Sequence, residues 1–223
     1  LTCVECHQDL AGLGGERAPE LAPVDCAICH DREQAVFEHS LHGRQLAAGN
    51  RHAPHCWDCH GAHDITPPSA PASAVNRFNI PLMCGGCHKE GAPVARFYDI
   101  PQDSILTHYE QSIHGEGLFK RGLTISAVCI DCHTAHDVRD HNDPRSSIHA
   151  DNVAATCQQC HGRIEQVHQK VIAGVLWEKE PNKVPVCIDC HQPHAIRRVF
   201  YDEGVSNQEC LACHGRRDLV TER

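Results

Sequence analysis

With 41% apolar residues but only 4% aromatic ones, this 223-residue chain lacks most of the side chains that ordinarily fill a protein interior. Its formal net charge of −9 excludes nucleic acid as a natural partner, because the phosphate backbone would be repelled. The longest apolar stretch, residues 171–177, is far too short to cross a bilayer.

Metal-ligand chemistry is abundant instead. Eight segments read Cys-x-x-Cys-His, and together they use all 16 cysteines. In chain order the cysteine pairs are Cys3 and Cys6, Cys26 and Cys29, Cys56 and Cys59, Cys84 and Cys87, Cys129 and Cys132, Cys157 and Cys160, Cys187 and Cys190, and Cys210 and Cys213. The histidines that close them are His7, His30, His60, His88, His133, His161, His191 and His214. Each cysteine of such a motif can add to one vinyl group of a porphyrin, which sets the adjacent histidine under the iron as its first axial ligand. Eight haem c groups are therefore expected, numbered here 1 to 8 with their motifs. Zinc knuckles would use the cysteine pairs but leave the invariant fifth residue unexplained. A disulfide framework has no reason to fall into eight pairs of identical spacing.

Eight haems on 223 residues leave about 28 residues for each, too few to build a protein core around every cofactor. The porphyrins themselves must form the core, so the chain without haem is expected to be unfolded. The predicted fold is mostly irregular, with short α-helices and little or no β-structure, wrapped around a closely packed haem chain as one domain over 1–223.

Within it the sequence repeats a two-haem unit, at about 26–66, 84–140 and 157–198, with half-units 1–25 and 199–223 at the two ends. Along the chain, residues 31–48, 103–123 and 163–179 read as helices, and residues 67–74, with three prolines, read as an extended linker. Phe37-Glu38-His39-Ser40-Leu41-His42-Gly43 aligns with Tyr109-Glu110-Gln111-Ser112-Ile113-His114-Gly115. The second motif of each unit extends to Cys-His-x-x-His, which adds His63, His136 and His194.

Six-coordinate irons need a second ligand each. The single methionine, Met83, directly precedes Cys84 and is badly placed for the far face of its own haem, so histidine on both sides is expected, with the low potentials that accompany it. His63, His136 and His194 follow too closely on a proximal histidine to reach round the same porphyrin, so each should ligate a different haem. His42, His114 and His168 lie on helices between the two motifs of a unit, where they are placed to serve as distal ligands. His149 is the next candidate, followed by His39 and His108, ahead of His52, His55 and His141. The shortage is expected at haems 1 and 8, whose units are incomplete.

These clustered motifs, the Ser-x-His-Gly segments at 40–43 and 112–115, and extensions such as Cys59-His60-Gly61-Ala62-His63 resemble the multihaem cytochromes c of bacterial and archaeal respiration. The resemblance implies bis-histidine haems in alternating parallel-stacked and T-shaped pairs, acting as an electron conduit. The octahaem reductases of nitrite, hydroxylamine or tetrathionate differ in being about twice as long and in carrying motifs such as Cys-x-x-Cys-Lys, and little chain remains here to build a substrate pocket. Extracellular cytochrome filaments are similar in haem density, and in them a histidine of one subunit ligates a terminal haem of the next. The expected function is electron transfer without catalysis, as a conduit in extracellular or periplasmic respiration that self-associates into a homopolymer. An octahaem reductase with one open haem, or a soluble periplasmic shuttle, is the alternative. Partners would be redox proteins or extracellular electron acceptors. Leu1 stands two residues before Cys3, and haem is attached outside the cytoplasm, so an export signal is expected to have been removed.

Overall fold

A computed structural model of the chain describes residues 2–11, 21–97, 102, 104–162 and 187–197. His168, Cys210, Cys213, His214 and the helix expected at 163–179 lie outside the described residues. The described residues form short helices joined by turns, with no β-strand among them.

Among the described residues the α-helices are α1 (Cys3–Cys6), α2 (Ala27–His39), α3 (Leu41–Ala47), α4 (Cys56–His60), α5 (Ile80–Cys87), α6 (Pro93–Phe97), α7 (Ile105–Gln111), α8 (Ile113–Gly115), α9 (Cys129–His133), α10 (Val153–His161) and α11 (Cys187–Cys190), with a 3-10 turn at Gln8–Leu10 and a π-helical turn at Glu116–Lys120. Every described motif thus contributes a turn of helix. The third residue of the motif explains several of the starts: the Val128 N–H donates to Asp131 Oδ2 at 2.7 Å and the His55 N–H to Asp58 Oδ2 at 2.7 Å, each capping an orphan backbone donor. Helices α4 and α9 end at Gly61 and Thr134, whose φ values of 80° and 65° reverse the chain.

The helices expected at 31–48 and 103–123 form, but both break at a serine. Ser40 and Ser112 are extended, with ψ 167° and 163°, and the hydroxyl of each accepts from the N–H of Gly43 or Gly115 at 3.0 Å. A serine cap starts a new helix at an angle to the old one, so α2 turns into α3 and α7 into α8. The new turn is tight. A Cβ on Gly43 would lie 2.0 Å from the Phe37 carbonyl oxygen, and one on Gly115 would lie 2.0 Å from that of Tyr109. The glycine after each histidine is what lets the two backbones touch.

Residues 67–74 are not the extended linker expected from their prolines. They belong to a run of turns in which the Ala70 N–H bonds to the Pro67 carbonyl, Ser73 to Ala70 and Asn76 to Ser73. The amide of Asn79 clamps the run by donating to the carbonyls of Pro71 and Ser73 at 3.0 and 2.8 Å. Proline presets φ for the second position of a turn as readily as for an extended chain, and the asparagine decides between them. The same clamp recurs before motif 6, where Asn152 donates to Pro144 and Ser146 at 2.8 and 2.9 Å.

The apolar interior is small. Ile80, Tyr109, Leu118 and Val128 form a buried cluster on which Cys84, Cys129 and Ile130 pack. The Arg77 guanidinium ties the loop before motif 5 to the turns before motif 4, donating to the carbonyls of Thr124 and Ser126 and to both oxygens of Asp131.

Candidate haem-ligand site

Among the described residues, five histidine pairs stand ring to ring across a gap. His7 faces His63 at 6.2 Å between ring centres, His42 faces His88 at 6.1 Å, and His60 faces His136 at 6.0 Å. His114 faces His161 at 6.1 Å, and His133 faces His194 at 5.8 Å. Each pair joins one motif histidine to one from outside the motifs. Imidazole nitrogens bind a first-row metal at about 2 Å and lie roughly 1 Å from the ring centre, so two rings on one metal have centres about 6 Å apart. The gaps fit an iron with two axial imidazoles, leaving its equatorial plane to a porphyrin, and the residues present suit haem c.

Burial favours the neutral form of six of these rings, which leaves a lone pair free for a metal. It lowers the His42 and His194 pKa values to about 4, and lowers those of His60, His88, His114 and His133 below the usual imidazole value. Hydrogen bonds also orient the rings. His194 donates from Nδ1 to Gln102 Oε1 at 2.6 Å, which leaves Nε2 as the ligand atom opposite His133. His191 donates from Nδ1 to the Arg197 carbonyl at 3.3 Å, the same preparation of a proximal ligand. Gln102 has no signal in the sequence, because it acts from a distant loop.

The forward-placed histidines differ from expectation. His42 and His114 do not face a motif of their own unit: they face His88 and His161, in the following unit. The cause is the serine break, which aims α3 and α8 outward, and a backbone clasp that holds them there. The Leu41 N–H donates to the Val138 carbonyl at 2.7 Å, and the Ile113 N–H donates to the Ile196 carbonyl at 2.8 Å. Val138 and Ile196 each stand two residues beyond a Cys-His-x-x-His histidine, so the two clasps are equivalent. The Arg197 guanidinium, 3.1 Å from Glu116, ties the second one further. His7 takes its opposite ring from outside its half-unit.

Among the described residues, neither His30 nor His191 faces a second histidine ring, and the His30 side chain is 72% exposed. The remaining candidates sit elsewhere. His149 lies in the turns before motif 6 at the place of Asn76, with Nδ1 accepting from the Asp151 N–H at 3.2 Å. His55 stacks on Trp57 at 4.4 Å. His39 is exposed at the end of α2, His108 is half-buried on α7, His52 Nε2 accepts from Arg51 Nε at 3.3 Å, and His141 lies exposed beside Asp140.

The thirteen cysteines whose side chains are described form no disulfide with one another. Their contacts follow the unit plan. The first cysteines of paired motifs meet: hydrogen bonding to Cys129 holds the Cys84 thiol far above its usual range, and Cys187 does the same to Cys157. Burial, then Cys56, raises Cys26.

Residues 142–215, which hold motifs 6 to 8, match the family described as cytochrome c7 and related cytochrome c. No curated protein and no solved structure matches the chain. The class that this similarity and the opposed histidines support is a multihaem c-type cytochrome, a carrier of electrons with haem c as cofactor. No helix among the described residues is long and apolar enough to cross a membrane.

Proposed function

We propose that this chain is an exported octahaem cytochrome c that conducts electrons along a row of bis-histidine haems in extracellular or periplasmic respiration, with no catalytic residue of its own. The observation that carries the reading is the set of five histidine pairs, each made of one motif histidine and one outside the motifs, at the spacing of two axial ligands. Haem supplies the redox centre. The chain's residues would do the rest: the cysteines would hold each porphyrin, the paired imidazoles would ligate its iron, and neighbouring charge and burial would tune each potential. Motif helices α5 and α9, α9 and α10, and α10 and α11 pack on one another, so cofactors attached to them would lie close together, where transfer would need no protein motion.

Self-association into a homopolymer fits the motif types. Motifs 1, 3, 5 and 7 have an acid before the second cysteine, as Glu5, Asp58, Asp131 and Asp189, whereas motifs 2, 4, 6 and 8 have Ile28, Gly86, Gln159 and Ala212. Motif 8 is thus of the kind that opens a unit and motif 1 of the kind that closes one, so two copies meeting there would assemble a further unit. Redox proteins or extracellular acceptors would take the electrons from such a row.

Intact-mass measurement and haem quantitation of the purified protein test the reading. Eight haems per chain and a low-spin spectrum are expected, and fewer haems would overturn it. Electron microscopy of the native material tests the polymer: filaments are expected, and discrete particles would point to a shuttle.

A further inference from the structure

Resting on the reading of the opposed histidines as axial ligands, we propose that consecutive two-haem units exchange ligands in both directions, so that no unit completes its own irons. The forward donor is the Ser-x-His-Gly histidine. His42, from the unit of motifs 2 and 3, faces His88 of motif 4, and His114, from the unit of motifs 4 and 5, faces His161 of motif 6. The backward donor is the histidine three residues past a closing motif. His136 faces His60 and His194 faces His133, each in the unit before, and His63 faces His7 in the same sense.

The two directions meet at one place in each junction. The clasp from Leu41 to Val138 joins the turn carrying His42 to the strand of chain that follows His136, and the clasp from Ile113 to Ile196 joins His114 to the segment after His194 in the same way. The seat of the forward ligand is therefore built from the backward ligand's own segment. Ser40 with Gly43, and Ser112 with Gly115, are positioning residues that shape this seat.

The exchange also relocates the shortage of distal ligands. Haem 1 receives His63, although its half-unit offers nothing. By the forward rule, the second ligand of haem 2 would come from a unit ahead of motif 2, and by the backward rule that of haem 7 would come from a unit beyond motif 7. Among the described residues His30 and His191 face no second histidine ring.

Haem-deletion backgrounds of the holoprotein test the wiring, read by optical and electron paramagnetic resonance spectra. In the full protein, His136→Ala and His42→Ala should each convert one haem to high spin. His136→Ala should add no high-spin signal where haem 3 has been deleted by Cys56→Ala with Cys59→Ala, but should still add one where haem 5 is missing. His42→Ala should be silent where haem 4 is deleted by Cys84→Ala with Cys87→Ala, and visible where haem 2 is missing. Silence in the background of the histidine's own unit would overturn the exchange while leaving bis-histidine ligation intact. No spectral change from either substitution in the full protein would overturn the ligand reading beneath it. If the alanine variants do not fold, His136→Met and His42→Met keep a ligand and replace imidazole by thioether, which should raise the potential of one haem. The same deletions then identify that haem, with the same two overturning results.

Discussion

At the residue scale, much rests on a glycine and a serine that carry no ligand atom for a metal. Gly43 is the only residue type that fits against the Phe37 carbonyl, where a Cβ would come within 2.0 Å. Gly43→Ala is therefore expected to push α3 off its seat and turn one low-spin haem high-spin, read by electron paramagnetic resonance. Ser40→Ala should cost about 1 kcal/mol by losing the cap, with Ser40→Thr restoring most of it, as measured by thermal unfolding. Asp143 gives a pH signature. Its carboxylate is held below the usual range by hydrogen bonds from Arg145, then from Arg139. A depressed carboxyl stabilises the fold above the unfolded-state value and loses that contribution as pH falls through the folded one. Wild type should thus melt above Asp143→Asn at neutral pH, and the difference should vanish in acid.

At the element scale, the clasp can be tested without disturbing the helix it starts. Leu41 is the first residue of α3 and follows an extended Ser40, the setting that tolerates proline. Leu41→Pro removes little but the N–H that donates to Val138, apart from changing the side chain, and should cost about 1 kcal/mol of stability while loosening the histidine that follows. A rise in high-spin content at elevated temperature, absent in wild type, would register this. Some of this scale could be read from the sequence. The repeated Ser-x-His-Gly segment marked His42 and His114 as special, and the Cys-His-x-x-His extension implied that His63, His136 and His194 point away from their own haem. The destination of the forward pair could not be read, since it depends on the angle at a serine break and on a carbonyl more than eighty residues away. The prolines of 67–74 misled for a related reason: their φ suits a turn and an extended chain alike, and the Asn79 amide makes the choice.

At the scale of the whole molecule, stability and connectivity come from the same source. Among the described residues the buried apolar side chains are Ala53, Ile80, Ala92, Tyr109, Leu118, Val128 and Val153, a set far too small to offset the entropy of ordering the chain. Expressed without haem attachment, the chain should show a disordered far-ultraviolet circular dichroism spectrum, and a folded spectrum would mean that the polypeptide has a core of its own.

The sequence by itself determined how many Cys-x-x-Cys-His motifs the chain holds and which histidine closes each, and from these came the expectation of eight haems, because the motif is local chemistry that needs no fold to be read. It also pointed to the helical, strand-poor character, since no alternating apolar pattern of useful length appears between the motifs. Which histidine stands opposite which was decided only by tertiary structure. Facing rings require two distant segments to be brought within about 6 Å across the plane of a metal, and that distance depends on serine breaks, glycine contacts and clasps between units that no local pattern encodes.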